Sequence, residues 1–444
     1  MGLTRTIQFA TLCVSILALP QAGRAQAQTV TINWGTTYQV IDGFGASDAY
    51  EAQPLTTAQA DLLFSPTAGM GLSLLRTAIP DDGSCATVNA TCAGEVTDMQ
   101  LAIARGAKVW STPWSPPANM KSNGNVDNGG VLLESSYSAY ADYLANYVAS
   151  LQTLYGIPLY ALSVQNEPDI TATYDSATWT AASLDSFIAN NLGPALAAKN
   201  LSPRLIIAEP SGWQMLPTFA NASLNDTAAE PYLSIIAAHD YAGTAATAYA
   251  LGQSKGKRLW QTEVCDTHTP FDPSITSALH YAQYINDWMT IANANAWHYW
   301  RLVGRWTASN NEALISTSGV VTKRLYMMGN FSKFVRPGSY RIAATAAPQA
   351  GVSVSAYKNS TTVALVIVVI NQNTQNVPQT FTLNGATVSS VTPWITSASL
   401  NLAVQPSVPV NGGSFTYTLP AQSITSFVTT AGALAPAGLT AKSQ

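Results

Sequence analysis

Two glutamates stand where apolar runs stop: Glu167 in Val164-Gln165-Asn166-Glu167-Pro168 and Glu263 in Trp260-Gln261-Thr262-Glu263-Val264. An acid at the end of a buried strand is costly unless it is used or paired. Hydrolysis of a glycosidic bond needs two such carboxyls, one to protonate the leaving oxygen and one to attack the anomeric carbon or activate water. Either glutamate alone reads equally well as a capping or salt-bridged residue. Together they point to chemistry, with Glu167 as acid/base and Glu263 as nucleophile.

Other strand ends supply groups that suit this pair. Asn166, beside Glu167, carries an amide able to hold a sugar 2-hydroxyl, a contact that strengthens in the transition state. Trp114, in Thr112-Pro113-Trp114-Ser115-Pro116-Pro117, would lay a ring beside a bound sugar, and Trp300 would floor the same subsite. Arg76, His239 and Tyr241 would face the same cavity. A guanidinium and a phenol near Glu263 would keep it ionised, while a more desolvated Glu167 would stay protonated.

These positions require strands in a particular order. From about residue 40 to about 335 short apolar runs alternate with helical stretches, the pattern of βα units. Candidate strands are Ile41–Gly45, Leu72–Thr77, Lys108–Thr112, Leu159–Val164, Arg204–Ala208, Ile235–Asp240, Arg258–Thr262 and Ala296–Leu302. Tyr137–Leu154 and Ser183–Ala198 have apolar residues at helical spacing. Eight such units predict an α/β fold, a closed (β/α)₈ TIM barrel over residues 40–336, with Glu167 and Glu263 ending the fourth and seventh strands. After Pro337 the strands Val352–Tyr357, Thr362–Asn371, Gln379–Leu383, Val388–Thr396 and Ser414–Leu419 are short and Val/Thr-rich. They predict a side β-sandwich over 337–430, joined by residues 28–39 through a strand at Thr29–Trp34. Residues 431–444 read as a flexible tail.

The 444-residue chain is 47% hydrophobic but only 10% charged, with a net charge of −4 and no basic run, which excludes the electrostatic footprint of a nucleic-acid binder. Arg5, the apolar Ile7 to Leu19 and Ala25-Gln26-Ala27 form a signal-peptide pattern over residues 1–27. The apolar stretch is too short to span a bilayer, so a secreted protein, extracellular or periplasmic, is expected rather than a membrane-anchored one. Cys13 falls in this signal. Cys85 and Cys92, seven apart in a Gly/Thr/Asn-rich loop, are placed for a small local disulfide away from the site. Cys265 is left unpaired and reads as a buried thiol, not a nucleophile. The four histidines show no metal-ligand spacing, so neither a metal nor a cofactor is expected. The expected partner is a polysaccharide, bound by a monomer.

Several segments resemble glycoside hydrolase family 30, and its glucuronoxylanase branch in particular. They are Gln39-Val40-Ile41-Asp42-Gly43-Phe44-Gly45, Ser163-Val164-Gln165-Asn166-Glu167-Pro168-Asp169, Phe331-Ser332-Lys333-Phe334-Val335-Arg336-Pro337-Gly338, Pro393-Trp394-Ile395-Thr396-Ser397 and Leu419-Pro420-Ala421-Gln422-Ser423. The resemblance implies a retaining double displacement, a side β-domain fused to the barrel, support of the nucleophile by Arg76 and Tyr241, and a −1 subsite lined by Asn166, Trp114 and Trp300. It implies cleavage of β-1,4-xylosidic bonds in xylan or glucuronoxylan. Within the family, β-1,6-glucanase, β-glucosidase or glucosylceramidase, and exo-xylanase are the alternatives. A non-catalytic carbohydrate-binding protein would need one catalytic glutamate replaced, and both are present.

Two departures bear on substrate. Where that branch carries an aromatic, paired arginines and Ser-Tyr-Gly after the eighth strand, this chain has Trp300-Arg301-Leu302-Val303-Gly304-Arg305-Trp306. Arg301 or Arg305 would have to replace the arginine that grips glucuronic acid, and a carboxylate clamp tolerates little displacement. Its loss removes an anchor of about 1.5–3 kcal/mol, about ten- to a hundredfold in selectivity. The first βα loop, Ala46-Ser47-Asp48-Ala49-Tyr50, also differs from the branch's His-Pro-Ala-Trp-like run and brings Tyr50 to the substrate side.

Overall fold

The computed structural model describes residues 28–429 except 51–52, 244, 246, 305–309 and 360–363. The signal-peptide pattern, Arg305 and the expected tail lie outside the described residues.

The first strand, β1 (Val30–Val40), is followed by the barrel strands β2 (Gly43–Ser47), β3 (Leu74–Ala78), β4 (Lys108–Thr112), β5 (Ala161–Ser163), β6 (Arg204–Ala208), β7 (Leu233–Ala238), β8 (Arg258–Gln261) and β9 (Ala296–Val303). All neighbours are parallel, and pairing of β8 with β9 and of β9 with β2 closes the barrel. Parallel strands between a packed lumen and an outer ring of helices have no wet face, which is why they read as apolar runs rather than alternating ones. A short strand not anticipated from sequence, β10 (Ala313–Ile315), adds to the C-terminal end of β9 in parallel.

Bulky side chains fill the lumen. Leu74, Trp110, Ile206, Ile235 and Trp260 form one buried cluster there, with His298 edge-on to Trp110 and tilted against Trp260. A Cβ at Gly45 would lie 2.4 Å from the Leu74 carbonyl oxygen and 2.8 Å from the His298 ring, so only glycine fits β2 against this plug.

The helix Tyr137–Tyr155 matches the expected span and ends on Gly156 in the left-handed conformation. The second expected helix is broken into Ala181–Phe187 and Gly193–Ala198 by a π-bulge at Ile188–Leu192. Pro194 has no N–H to donate to the regular ladder, which is the physical reason for the displaced register.

The second sheet contains β1, β11 (Ser339–Ala344), β12 (Val352–Asn359), β13 (Leu365–Asn371), β14 (Val377–Asn384), β15 (Ser390–Thr396), β16 (Ala403–Val404), β17 (Val408–Pro409), β18 (Ser414–Leu419) and β19 (Ser423–Val428). It curls on itself in the order β16-β15-β19-β13-β12-β11-β1-β14-β18, so the N-terminal strand sits inside it. The continuous run Leu365–Asn371 is buried on both faces. Leu365, Ile367 and Val369 enter the sandwich core with Phe381, Phe415 and Phe427, while Val366, Val368 and Ile370 pack into the barrel's helical layer. The helix Lys323–Ser332 meets the same sheet. Its buried Asn330 donates to the Trp394 carbonyl (3.0 Å) and to the Ser426 hydroxyl, which returns a bond to the Asn330 carbonyl.

Cys85 and Cys92 are disulfide-bonded. Asn146 ties the loop to the helix Tyr137–Tyr155 through the Cys85 and Ala86 carbonyls. Just beyond the loop, the Glu95 carboxylate accepts the Tyr50 and Ala78 amides at 2.7 and 2.9 Å, so the segment that follows the disulfide braces the first βα loop and the end of β3.

Candidate active site

A cleft of about 690 Å³ opens above the C-terminal ends of the barrel strands. Its lining includes Glu167, Glu263, Tyr50, Trp114, Tyr241, Trp300, Tyr174 and Cys265. Glu167 and Glu263 leave the ends of β5 and β8, and one carboxylate oxygen of each lies within 4.8 Å of the other. Retaining hydrolases hold their carboxyls about 5–5.5 Å apart, whereas inverting ones leave about 6.5–9.5 Å for a water.

The partners of the two acids differ. Glu263 takes a short bond from the Arg76 guanidinium on β3, and Tyr241 donates to its other oxygen at 2.9 Å. Glu167 faces His239 Nδ1 at 3.0 Å and the Tyr174 hydroxyl at 3.5 Å. Burial does not separate them, since they are 6% and 7% exposed. The expectation of a more desolvated Glu167 is therefore corrected: partners, not dehydration, distinguish the pair.

Arg76 is wholly buried and organises the floor. Besides Glu263 it donates to Asn166 Oδ1 at 2.7 Å and pairs with Glu209 at 3.2 Å. The Trp114 ring lies 4.6 Å from its guanidinium carbon and the Trp300 ring 5.7 Å. These two rings thus line the cleft and cover the cation. With Oδ1 held by Arg76, Asn166 turns its NH₂ away from that contact.

His239 is fully buried with a carboxylate at each ring nitrogen: Glu167 at Nδ1, and Glu209 (3.7 Å) and Glu263 (3.8 Å) at Nε2. Burial opposes its charge, but Glu263, Glu167 and Glu209 outweigh that and push the imidazole up to about 10. Glu167, His239 and Glu263 have the spacing of a metal site. An imidazolium among them, and a guanidinium already on Glu263, occupy the places where a cation would be bound, so the set does not fit a metal.

Below this layer a second histidine behaves oppositely. His298 Nε2 accepts from Trp110 (3.1 Å), so Nδ1 donates to the Gln261 carbonyl (2.9 Å). Burial, first of all, lowers it to about 4, leaving a neutral ring in the lumen.

Residues 95–310 match the glycosyl hydrolase family 30 TIM-barrel domain and 338–427 that family's beta sandwich domain. Glucuronoxylanase XynC of Bacillus subtilis (strain 168) is 35% identical over 413 residues, which is 90% of this chain and 92% of the relative. The chain belongs to glycoside hydrolase family 30. As a member it is a glycoside hydrolase. Its fold is similar to that of the family 30 subfamily 8 xylanase Xyn30A from Clostridium acetobutylicum, at a TM-score of 0.82 and 37% identity over 91% of this chain and all of that one. A family 30 endoxylanase from Clostridium papyrosolvens C71 superposes with a TM-score of 0.78 at 35% identity, again over 91% of this chain and 100% of that one.

Within this family 30 hydrolase, Arg76, Trp114, Asn166, Glu167, His239, Tyr241, Glu263 and Trp300 converge as the sequence suggests. Tyr50 lies on the cleft wall with its ring 5.2 Å from Trp114. Arg301 does not line the cleft. It is 1% exposed, with its guanidinium 5.4 Å from the Trp300 ring. Burial pushes the Cys265 thiol up, and its sulfur is 3.4 Å from the Tyr241 hydroxyl, as expected of an unreactive thiol.

Glu209 was missed. It ends β6 in Ile206-Ile207-Ala208-Glu209-Pro210, the same strand-end acid before a proline that marks Glu167, so the signal was present. Both glutamates have positive φ (43° and 52°), and the Glu167 amide donates to the Glu209 carbonyl at 2.9 Å. Non-glycine residues in that region cost about 1–3 kcal/mol and concentrate at working sites. Tyr174, Asp175 and Glu312 also line the cleft. They come from loops and from the approach to β10, where no strand end marks them.

Proposed function

We propose that this protein is a secreted, retaining, endo-acting xylanase in which Glu167 is the acid/base and Glu263 the nucleophile. The observation that carries the mechanism is the close approach of the two carboxyls, within 4.8 Å, with a guanidinium and a phenol on one of them. Glu263 attacks the anomeric carbon as Glu167 protonates the departing oxygen. Water then attacks the glycosyl ester and gives its proton to Glu167. The NH₂ of Asn166 is the donor for the sugar 2-hydroxyl, and Tyr50, Trp114 and Trp300 supply the apolar walls of the subsite. Export is supported by the signal-peptide pattern over residues 1–27.

Xylan as substrate is supported by what the relatives are named for. The cleft favours a backbone specificity that does not depend on glucuronic acid. Among its described lining residues the ionisable side chains include the acids Glu167, Asp175, Glu263 and Glu312 and no lysine or arginine, so a uronate meets no described cation there. Product analysis on glucuronoxylan and on unbranched arabinoxylan tests this directly. Comparable rates on both, with products of mixed lengths, are expected. Release only of oligosaccharides branched at one fixed position would assign a clamp to Arg305 and overturn the reading, and no cleavage of either would overturn xylan as substrate.

The acid/base role has its own check. Glu167→Ala should regain turnover of an activated aryl glycoside when azide is added, by about a hundredfold or more, because azide needs no general base. The new product should be the β-glycosyl azide. Absence of rescue would transfer the acid role to another residue.

A further inference from the structure

The catalytic layer holds one more carboxylate than double displacement uses. Glu209 is 0% exposed and does not line the cleft. Its Oε1 lies 3.2 Å from Arg76 and 3.7 Å from His239 Nε2, and the Thr112 hydroxyl donates to Oε2 at 2.8 Å. Glu209 and Glu263 face His239 Nε2 at 3.7 and 3.8 Å and support its charge even when Glu167 holds a proton, so the layer contains two cations, Arg76 and an imidazolium at His239, and three acids, Glu167, Glu209 and Glu263.

We propose that Glu209 is a positioning residue whose fixed negative charge, balanced through Arg76 and His239, keeps the catalytic proton on Glu167 at rest and lets it leave as the glycosyl-enzyme forms. The inference rests on the assignment of Glu167 and Glu263 above.

A buried cluster of two cations and three carboxyls is neutral only when one carboxyl holds a proton. Glu263 is bound by Arg76 and Tyr241 as the anion. Glu209 is held down to about 2: its burial acts the other way, but Arg76 and then His239 prevail. The proton falls to Glu167.

In the first step the Glu263 oxygen forms its bond to the anomeric carbon. The bond to the leaving oxygen breaks, and the Glu167 proton moves to that oxygen. Glu263 is now a neutral ester and Glu167 a carboxylate, so Arg76 and His239 are balanced by Glu167 and Glu209. In the second step water gives its proton to Glu167 and its oxygen to the sugar, and Glu263 leaves as the anion. The cluster is neutral at both resting stages, and only because Glu209 is present.

Asp175 and Glu312 line the same cleft and are common to the wild type and the variants below, so they do not change the sign of the comparison. Ser163 on β5, Asn166 and Tyr241 are neutral hydrogen-bonding groups, and burial pushes the Tyr174 phenol and the Cys265 thiol upward. His298, on the lumen side, is lowered to about 4 and is uncharged at working pH.

The sign of the effect is the test. Glu209→Gln keeps the shape and removes the anion, so Glu167 loses its proton earlier and the basic limb of kcat/KM should move down by about one pH unit or more. His239→Gln removes a cation and should move the same limb up. At neutral pH, Glu209→Gln should lose about tenfold or more on xylan, and at least about tenfold less on a dinitrophenyl glycoside whose departure needs no acid. A merely structural role would depress both substrates alike and leave the limb in place. An unmoved limb, or limbs moving the same way in the two variants, would overturn the proposal. Glu167→Gln, run alongside, separates the two levels of failure. If it too loses equally on both substrates, the acid assignment falls first and this inference with it.

Discussion

Glu263→Gln should lower kcat/KM on xylan by at least about four orders of magnitude, about 5 kcal/mol of lost transition-state stabilisation. An amide oxygen in the place of the carboxylate cannot form the glycosyl ester, and the positions of Arg76 and Tyr241 are of no use without an anion to support. The fold should survive. Arg76 keeps its contacts with Glu209 at 3.2 Å and Asn166 at 2.7 Å, and no other buried charge is left alone. Initial rates on xylan, with intact-mass detection of the adduct from a 2-deoxy-2-fluoro glycoside, give the readout. Wild type should be labelled at Glu263 and the variant not at all. Appreciable activity, or labelling at another carboxylate, would remove Glu263 from the nucleophile role.

Arg76→Met should cost about 3–5 kcal/mol of stability as well as most of the activity, because it strands charges that Arg76 now pairs in a dry layer. Met fills a comparable volume, so the loss is electrostatic rather than a cavity. Chemical denaturation at several pH values separates these causes. The pairing holds Glu209 down to about 2 in the folded state, against an ordinary glutamate value in the unfolded chain. Its contribution is full above that ordinary value and is lost as pH falls toward about 2. The gap between wild type and Arg76→Met should therefore be widest near neutrality and close in acid. The charged His239 acts in the other direction: raised to about 10, it stabilises fully below the usual imidazole range and loses that contribution as pH rises through about 10. A gap independent of pH would point to packing around Trp114 and Trp300 as the main role of Arg76.

Much of this molecule was legible in its residues because the strongest signals are local. Each barrel strand is a short apolar run buried on both faces, and polar chemistry at a barrel collects where such runs end. That position marked Glu167 and Glu263, though it marks Glu209 as well, and with neighbours at other strand ends it outlined most of the cleft. The side sheet was visible in part. β12, β14 and β18 carry Val/Thr patterns, whereas β19, Ser423-Ile424-Thr425-Ser426-Phe427-Val428, is rich in hydroxyls and is not among the strands expected from sequence. The Ser426 hydroxyl is buried against Asn330 of a distant helix, and no local pattern reports such a partner.

The sequence by itself determined the architecture and marked Glu167 and Glu263 as candidate reacting carboxyls, since periodicity and strand-end position are properties of neighbouring residues. Only the tertiary structure decided how charge is distributed among them. Glu209 and Glu167 carry the same local signature, yet one lies beneath the cleft against Arg76 and Thr112 and the other opens onto it. His239 directly follows β7 and His298 lies within β9, and one is charged between carboxylates while the other is neutral between Trp110 and a backbone carbonyl. Electrostatic energy depends on distances through space, and closing the barrel brings together side chains as far apart in the chain as Trp110 and His298, 188 positions.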